Sequence, residues 1–167
     1  MPSPASRMRH KTAQVEAAKA NEGKVAVVDA TGAIAGRLAT ALAKRLLGGE
    51  TVIVLNSEKA IVSGKGYSIK ERYKFKVDVG TRRKGPFPSR MPHLMLKRTV
   101  RGMLPRDRPN GRAALGRLTC HIGVPPEFVG KPTEQVKEAV KVMEQSMTLL
   151  EISQYLGKDV KVNHPGA

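Results

Sequence analysis

The chain is poor in the residues on which much of protein chemistry depends. Among 167 residues it has one cysteine, no tryptophan, three tyrosines and three phenylalanines. Cys120 cannot form an internal disulfide, and its place in the apolar run 118–122 indicates a buried thiol rather than a nucleophile. So few aromatic side chains argue against a protein that binds single strands by stacking bases on aromatic platforms.

Other absences exclude further classes of protein. No run of eighteen apolar residues exists, which excludes a membrane-spanning helix, and the N-terminus lacks the apolar stretch of a secretory signal. The four histidines lie too far apart for metal-ligand spacing, and no Ser-His-Asp or Cys-His arrangement is signalled. We therefore expect a cytoplasmic protein with no metal, no cofactor, no membrane partner and no small-molecule substrate.

Acidic residues are scarce in the middle of the chain. Residues 65–117 carry sixteen Lys and Arg but three acids, a net charge of +13 out of +16, whereas residues 118–167 have a net charge of −1. A cationic segment placed in this way favours a nucleic-acid partner, because each neutralised phosphate releases counterions. A solvated basic face is the structural alternative. The candidate RNA-binding residues are Lys65, Arg82, Arg83, Lys84, Arg90, Lys97, Arg98, Arg101, Arg106, Arg108, Arg112 and Arg117.

Hydrophobic patterning predicts an α/β fold. The apolar run Val25–Val28 suits a strand covered on both faces, a helical stripe runs from Ile34 to Leu46 before Gly48, and Thr51–Leu55 is a second buried strand. This βαβ order requires the two strands to be parallel. The patterns further predict strands at 59–62 and 118–122, a basic loop at 75–89, and helices at 67–73, 92–103, 111–117, 133–143 and 147–156.

The composition also predicts the domain organisation. Residues 1–24 hold almost no large apolar residue, so we expect a mobile N-terminal extension followed by a single domain over 25–167. Residues 14–20 could form a short helix on a partner, and Arg7, Arg9 and Lys11 could touch phosphate. A terminus without any role is the alternative.

One segment imitates a nucleotide-binding loop. DATGAIAGRLAT, residues 29–40, places glycines between a strand and a helix, but Ile34 stands where a dinucleotide loop needs glycine. Arg37 and Leu38 stand where a P-loop needs Lys and Ser or Thr. Small residues that let the helix pack closely on the sheet are the favoured interpretation, and a nucleotide-dependent enzyme is the alternative that measurable ATP or NAD binding would support.

Several motifs resemble one known family. TVRGMLP (99–105), GRAALGRL (111–118) and VPPEF (124–128) stand in family order, as do DATGAIAGRLA, VIVLNSEKAIVSG and GPFPSRMP before them. They are similar to the thirteenth family of large-subunit ribosomal proteins, most closely its archaeal and eukaryotic branch. The resemblance implies a three-layer α/β/α domain around a four-stranded parallel sheet, and a structural protein rather than an enzyme.

The resemblance also implies partners. It implies early entry into the large subunit and binding to large-subunit rRNA beside neighbouring large-subunit ribosomal proteins. Eukaryotic relatives can repress translation of messages, so mRNA is a further implied partner, and a free-standing repressor is a third hypothesis. The motif residues that carry over as rRNA contacts or their backbone supports are Arg98, Arg101, Gly102, Arg112 and Arg117.

Overall fold

The computed structural model describes residues 23–81 and 83–160. The helix predicted at 14–20 and the phosphate contacts predicted for Arg7, Arg9 and Lys11 lie outside this part of the chain, as does Arg82. The strands are β1 (Val25–Asp29), β2 (Thr51–Leu55), β3 (Ile61–Ser63), β4 (Leu118–Cys120), β5 (Glu134–Gln135) and β6 (Ser146–Thr148). The α-helices are α1 (Ala35–Leu47), α2 (Gly66–Asp78), α3 (Pro92–Met103), α4 (Pro109–Gly116) and α5 (Leu149–Tyr155).

Four strands form one parallel sheet in the order β4-β2-β1-β5. The register places Val28 beside Val54 and Val54 beside Cys120, so apolar side chains of three strands lie on the same face. Val28 and Val54 are fully buried there, whereas Val25, at the start of β1, is 57% exposed. The predicted α/β class and its four-stranded parallel sheet are confirmed, although the first residue of β1 is not covered on both faces.

Helix α1 supplies the other half of the core. Leu38, Leu42 and Leu46 recur at four-residue spacing and are fully buried. The helix ends where the sequence predicts, because Gly49 adopts a φ of 94° and donates its N–H to the Leu46 carbonyl. Helices α3 and α4 both pack against α1, and α3 also contacts β4 and α5.

Helix α2 is attached more loosely than the others. It contacts α5 and β6, and Ile69 is its one fully buried residue. The helix is longer than predicted and runs through the first part of the expected 75–89 loop, to Asp78. No described helix has the length and apolar composition needed to cross a membrane.

The helix predicted at 133–143 is wrong. Glu134 and Gln135 instead form β5, which pairs with the end of β1, and Val140 makes a bridge with Ala33. The apolar residues of the segment do not share a buried face, since Ala139 is fully buried while Val142 is 96% exposed. Pairing with the open edge of β1 therefore overrides the local helical spacing.

The strand predicted at 59–62 begins two residues later, at Ile61, and lies outside the parallel sheet. A 3-10 turn occupies Ser57–Lys59, and β3 follows it to pair antiparallel with β6 in a separate two-stranded sheet. Thr148 then caps α5: its hydroxyl accepts from the Glu151 N–H, and the Glu151 carboxylate accepts from the Thr148 N–H. The last helix consequently begins at Leu149, two residues later than predicted.

Candidate nucleic-acid interface

Helix α3 has buried core residues on one side and exposed basic residues on another. Met91 is extended and Pro92 begins the helix, as suits a residue that lacks an N–H to donate. Leu96 and Val100 are fully buried on one side, whereas Arg98 and Arg101 are exposed on another. Neither arginine forms a hydrogen bond or ion pair with another described residue. Their guanidinium groups therefore keep all their donors available to an external acceptor.

The turn between α3 and α4 is closely packed around one glycine. A Cβ on Gly111 would overlap the carbonyl of Pro105, so the start of α4 approaches the turn as only glycine allows. The Arg108 N–H donates to the same carbonyl at 3.1 Å. This packing fixes the backbone of a turn and helix whose exposed cations are Arg106, Arg108 and Arg112. We call these three residues, together with Arg98 and Arg101, the α3–α4 surface.

A second tight turn precedes α3. A Cβ on Gly80 would overlap the Gly85 carbonyl, and the Gly85 N–H donates to the Thr81 carbonyl at 2.9 Å. Both glycines have positive φ, 109° and 75°, which side-chain-bearing residues rarely adopt. The turn leaves Arg83 and Lys84 exposed at its tip.

Three of the predicted RNA-binding residues also donate to carbonyls of the protein itself. The Lys97 ammonium donates to the Leu118 carbonyl at 2.9 Å, and the Arg117 guanidinium donates to the Leu46 carbonyl at 2.8 Å. The Arg90 guanidinium donates to the carbonyl of Leu156 at 3.2 Å. Lys97 and Arg117 are also partly buried. Their charges stabilise backbone carbonyls at strand edges and helix ends.

Lys65 lies apart from the other candidates. It is exposed at the N-terminal end of α2, beside Gly66, which packs near Met147. A helix of thirteen residues is about 20 Å long, so Lys65 and the basic turn at 80–85 stand at opposite ends of α2. The structure therefore places Lys65 away from the basic turn at 80–85.

Among the described residues, one ion pair is present, between Arg45 and Glu134. Both guanidinium NH groups reach the carboxylate, at 2.8 and 2.5 Å. The hydrogen bond raises the pKa of Arg45 and lowers that of Glu134. No described carboxylate forms an ion pair with a residue of the α3–α4 surface, and this includes the exposed Asp107 between Arg106 and Arg108.

The carboxyl edge of the parallel sheet, where many α/β proteins bind ligands, is occupied by internal hydrogen bonds. The Asp29 carboxylate accepts from the Thr31 N–H and from the Asn56 amide, each at 3.0 Å. Burial alone would raise the pKa of Asp29, but these hydrogen bonds outweigh it and the pKa is lowered. The Glu58 carboxylate, 1% exposed, accepts from the Gly123 N–H at 3.0 Å.

The nucleotide-loop segment is likewise used internally. The Ile34 N–H, at the start of α1, donates to the Ala139 carbonyl at 2.9 Å. Gly36 does not serve close packing, since a Cβ there would meet nothing within 4 Å. Gly32 is needed for its φ of 67° in the turn. The small residues that do pack in the core are alanines, such as Ala35 and Ala39.

Burial disfavours the charged forms of two side chains suited to acid-base or nucleophilic chemistry. Burial raises the pKa of the Cys120 thiol to about 12, and burial with the nearby charges of His121 and Lys97 lowers the pKa of His93. Within residues 23–81 and 83–160, no three His, Cys, Asp or Glu side chains converge as metal ligands.

Sequence reasoning missed the contribution of α2. Lys76 and Phe75 lie on a regular helix rather than in a loop, facing the region of Arg98. The signal was present, because Ile69, Tyr73 and Val77 recur at four-residue spacing and are the large buried or half-buried residues of this helix.

Comparison with known proteins identifies a family. The family model described as Ribosomal protein L13 matches residues 23–127. A large ribosomal subunit protein uL13 from Archaeoglobus fulgidus is 47% identical over 135 residues, which cover 78% of this chain and 86% of that protein. The uL13 protein of Methanococcoides burtonii is 44% identical over 130 residues, covering 78% and 89%. That of Methanopyrus kandleri is 50% identical over 99 residues, covering 59% and 62%.

Proposed function

The chain belongs to the ribosomal protein L13 family, and we propose that it binds large-subunit rRNA through the α3–α4 surface as a structural protein of the large ribosomal subunit. Members of this family are structural proteins, not enzymes. The observation that carries the proposal is that five arginines project from one rigid turn and its two flanking helices with no partner among the described residues.

The physical basis is electrostatic. Each arginine presents a planar fork of donors that matches two phosphate oxygens, and each neutralised phosphate releases condensed counterions. Arg83 and Lys84 extend the same proposal to the turn before α3. Lys97, Arg117 and Arg90 take part as supports of the backbone that carries the contacts, because each donates one hydrogen bond to an internal carbonyl.

Two finer roles belong to the same proposal. Entry at an early stage of large-subunit assembly, beside neighbouring ribosomal proteins, fits a protein whose exposed cations would be neutralised by folded rRNA. Binding to messenger RNA would use the same cations, and it is supported by the sequence resemblance alone.

The double variant Arg98→Ala/Arg101→Ala tests the rRNA contact. Tagged protein is rebound to large-subunit cores from which the native copy has been removed by a salt wash, over a series of salt concentrations. We expect weaker binding and a salt slope lower by about two, since each phosphate that is no longer neutralised lowers the slope by about one. Thermal unfolding should change little, since exposed substitutions away from special features cost within about 0.5 kcal/mol.

The matched control is Lys137→Ala/Lys141→Ala, which removes the same charge from exposed residues outside the basic segment. It should leave the salt slope unchanged. Equal slopes for both double variants would show that Arg98 and Arg101 do not face RNA. Displacement of the wild-type protein from cores by a message fragment, at low salt, would support messenger RNA binding by the same surface.

A further inference from the structure

An apolar groove lies beside the α3–α4 surface. It has a volume of about 440 Å³ and runs between the second half of α2, α3, and residues Val79, Pro86, Pro88 and Ser89. Its walls are built from Phe75 and Val79 on one side and Met95 and Gly102 on the other. Phe75 is 67% exposed, so a large aromatic face stands open to solvent in the most cationic part of the chain.

The rim of this α2–α3 groove is positively charged. Lys76 and Arg98 line it, and no described acidic residue does. Tyr73 lies deeper, with the Lys76 ammonium 5.5 Å from the centre of its ring. The groove thus joins an apolar, partly aromatic interior to a cationic edge that is continuous with the α3–α4 surface through Arg98.

We propose that the α2–α3 groove binds one unpaired base of the rRNA, with the adjoining phosphate held between Lys76 and Arg98. The proposal rests on the proposed function, since it names a part of the same RNA contact. A base splayed out of a loop or bulge is a planar ring attached to an anion, and it stacks on aromatic side chains. An uncharged apolar protein segment would fill the interior but leave both cations unused.

A single base agrees with the scarcity of aromatic residues. A protein that follows a single strand needs one aromatic face for each successive base. Of the exposed aromatic residues Tyr67, Phe75, Phe87 and Tyr155, only Phe75 lines the groove. One exposed phenylalanine beside phosphate-binding arginines is sufficient to hold one everted nucleotide and thereby set the position of the protein on the RNA. Shape and backbone contacts would supply the remaining recognition.

The variant Gly102→Leu tests the groove without removing charge. A Cβ at Gly102 would meet nothing within 4 Å, so the larger side chain fits without displacing α3 and occupies the space of the base. We expect rebinding to salt-washed cores to weaken about tenfold at fixed salt, with an unchanged salt slope. Arg98→Ala, by contrast, lowers the slope. The control is Gly36→Leu, on exposed α1 surface outside the groove, where a Cβ is equally free; it should bind as the wild type does.

Ultraviolet cross-linking of intact large subunits identifies the occupant. We expect a nucleotide attached to the peptide that holds Tyr73 and Phe75, and loss of that cross-link in Gly102→Leu. If wild-type protein rebinds to cores and Gly102→Leu rebinds equally well, the base-binding proposal is overturned while the rRNA contact stands. A cross-link from this peptide to another protein would overturn it too. Failure of the wild-type protein to rebind would instead contradict the proposed function itself.

Discussion

Lys97 and Arg98 are adjacent on α3, yet they belong to two different regions of the molecule. Lys97 points into the junction of α3 with β4 and donates to the Leu118 carbonyl. Arg98 is exposed, with no described partner, at the edge of the α2–α3 groove. A helix turns 100° per residue, so one of two neighbouring cations can point into the fold while the other points to solvent. The basic residues of this segment are thus divided between internal hydrogen bonds and exposed positions. The charge density of the sequence does not distinguish the two groups.

The inward region has a clear structural task. The Arg117 carbonyl accepts from the Val52 N–H, so the Leu118 carbonyl points to the opposite, open side of edge strand β4. Lys97 covers this position, which would otherwise present an unpaired acceptor. Arg117 donates to the Leu46 carbonyl in the last turn of α1, which also accepts from the Gly49 N–H. Both side chains therefore connect α1, α3 and β4 into the frame that carries the outward arginines.

The largest expected effect comes from breaking the frame itself. Gly111→Ala places a methyl group against the Pro105 carbonyl, so α4 and the preceding turn must separate. Overpacking of this kind costs about 1–3 kcal/mol, measured by urea unfolding, and it should also weaken rebinding to cores because Arg106 and Arg108 move. Gly116→Ala in the same helix has open space and should change neither quantity. Unchanged stability for Gly111→Ala would mean that the turn does not position these arginines.

The second largest effect is expected from substitutions of Lys97 and Arg98, the neighbouring cations of α3. Lys97→Met leaves the Leu118 carbonyl without its donor and should cost about 1–3 kcal/mol of unfolding free energy, with an unchanged salt slope for core binding. Arg98→Met should do the reverse, lowering the slope by about one while unfolding is within about 0.5 kcal/mol of the wild type. If both variants lost stability alike, the division between inward and outward cations would be wrong.

The smallest effect concerns the cation that has a carboxylate partner. Glu134→Gln removes the ion pair with Arg45. The Arg45 side chain is 28% exposed and the Glu134 side chain is 56% exposed. An exposed pair contributes no more than about 1 kcal/mol, so the melting temperature should fall slightly and core binding should not change. A much larger loss would indicate that the short pairing of β5 with β1 depends on this contact.

Much of the fold was predictable because its signals are local. The βαβ unit, α3 and the limits of α1 follow from apolar spacing, Pro92 and Gly49, which act within one or two turns of the chain. The segment 133–143 was not predictable in this way. Its helical spacing is real, but the unpaired edge of β1 offers hydrogen bonds that only the folded sheet can present.

The candidate site divides in the same manner. The sequence indicated the cationic segment, the family resemblance and the residues Arg98, Arg101, Arg106, Arg108 and Arg112. It did not distinguish these from Lys97, Arg117 and Arg90, because the sequence does not show whether a basic side chain faces solvent or donates to a backbone carbonyl. It also did not show that α2 brings Phe75 and Lys76 beside Arg98.

The sequence by itself determined the composition and the spacing of the apolar residues. These gave a strongly basic middle segment, an α/β core and few groups able to do covalent chemistry. Only the tertiary structure decided which residues and elements contact one another. Strand β5 joins β1, Lys97 meets the edge of β4, and a groove opens between α2 and α3. Such pairings join residues far apart in the chain, so they depend on which donors, acceptors and apolar faces remain unused after the local elements have formed.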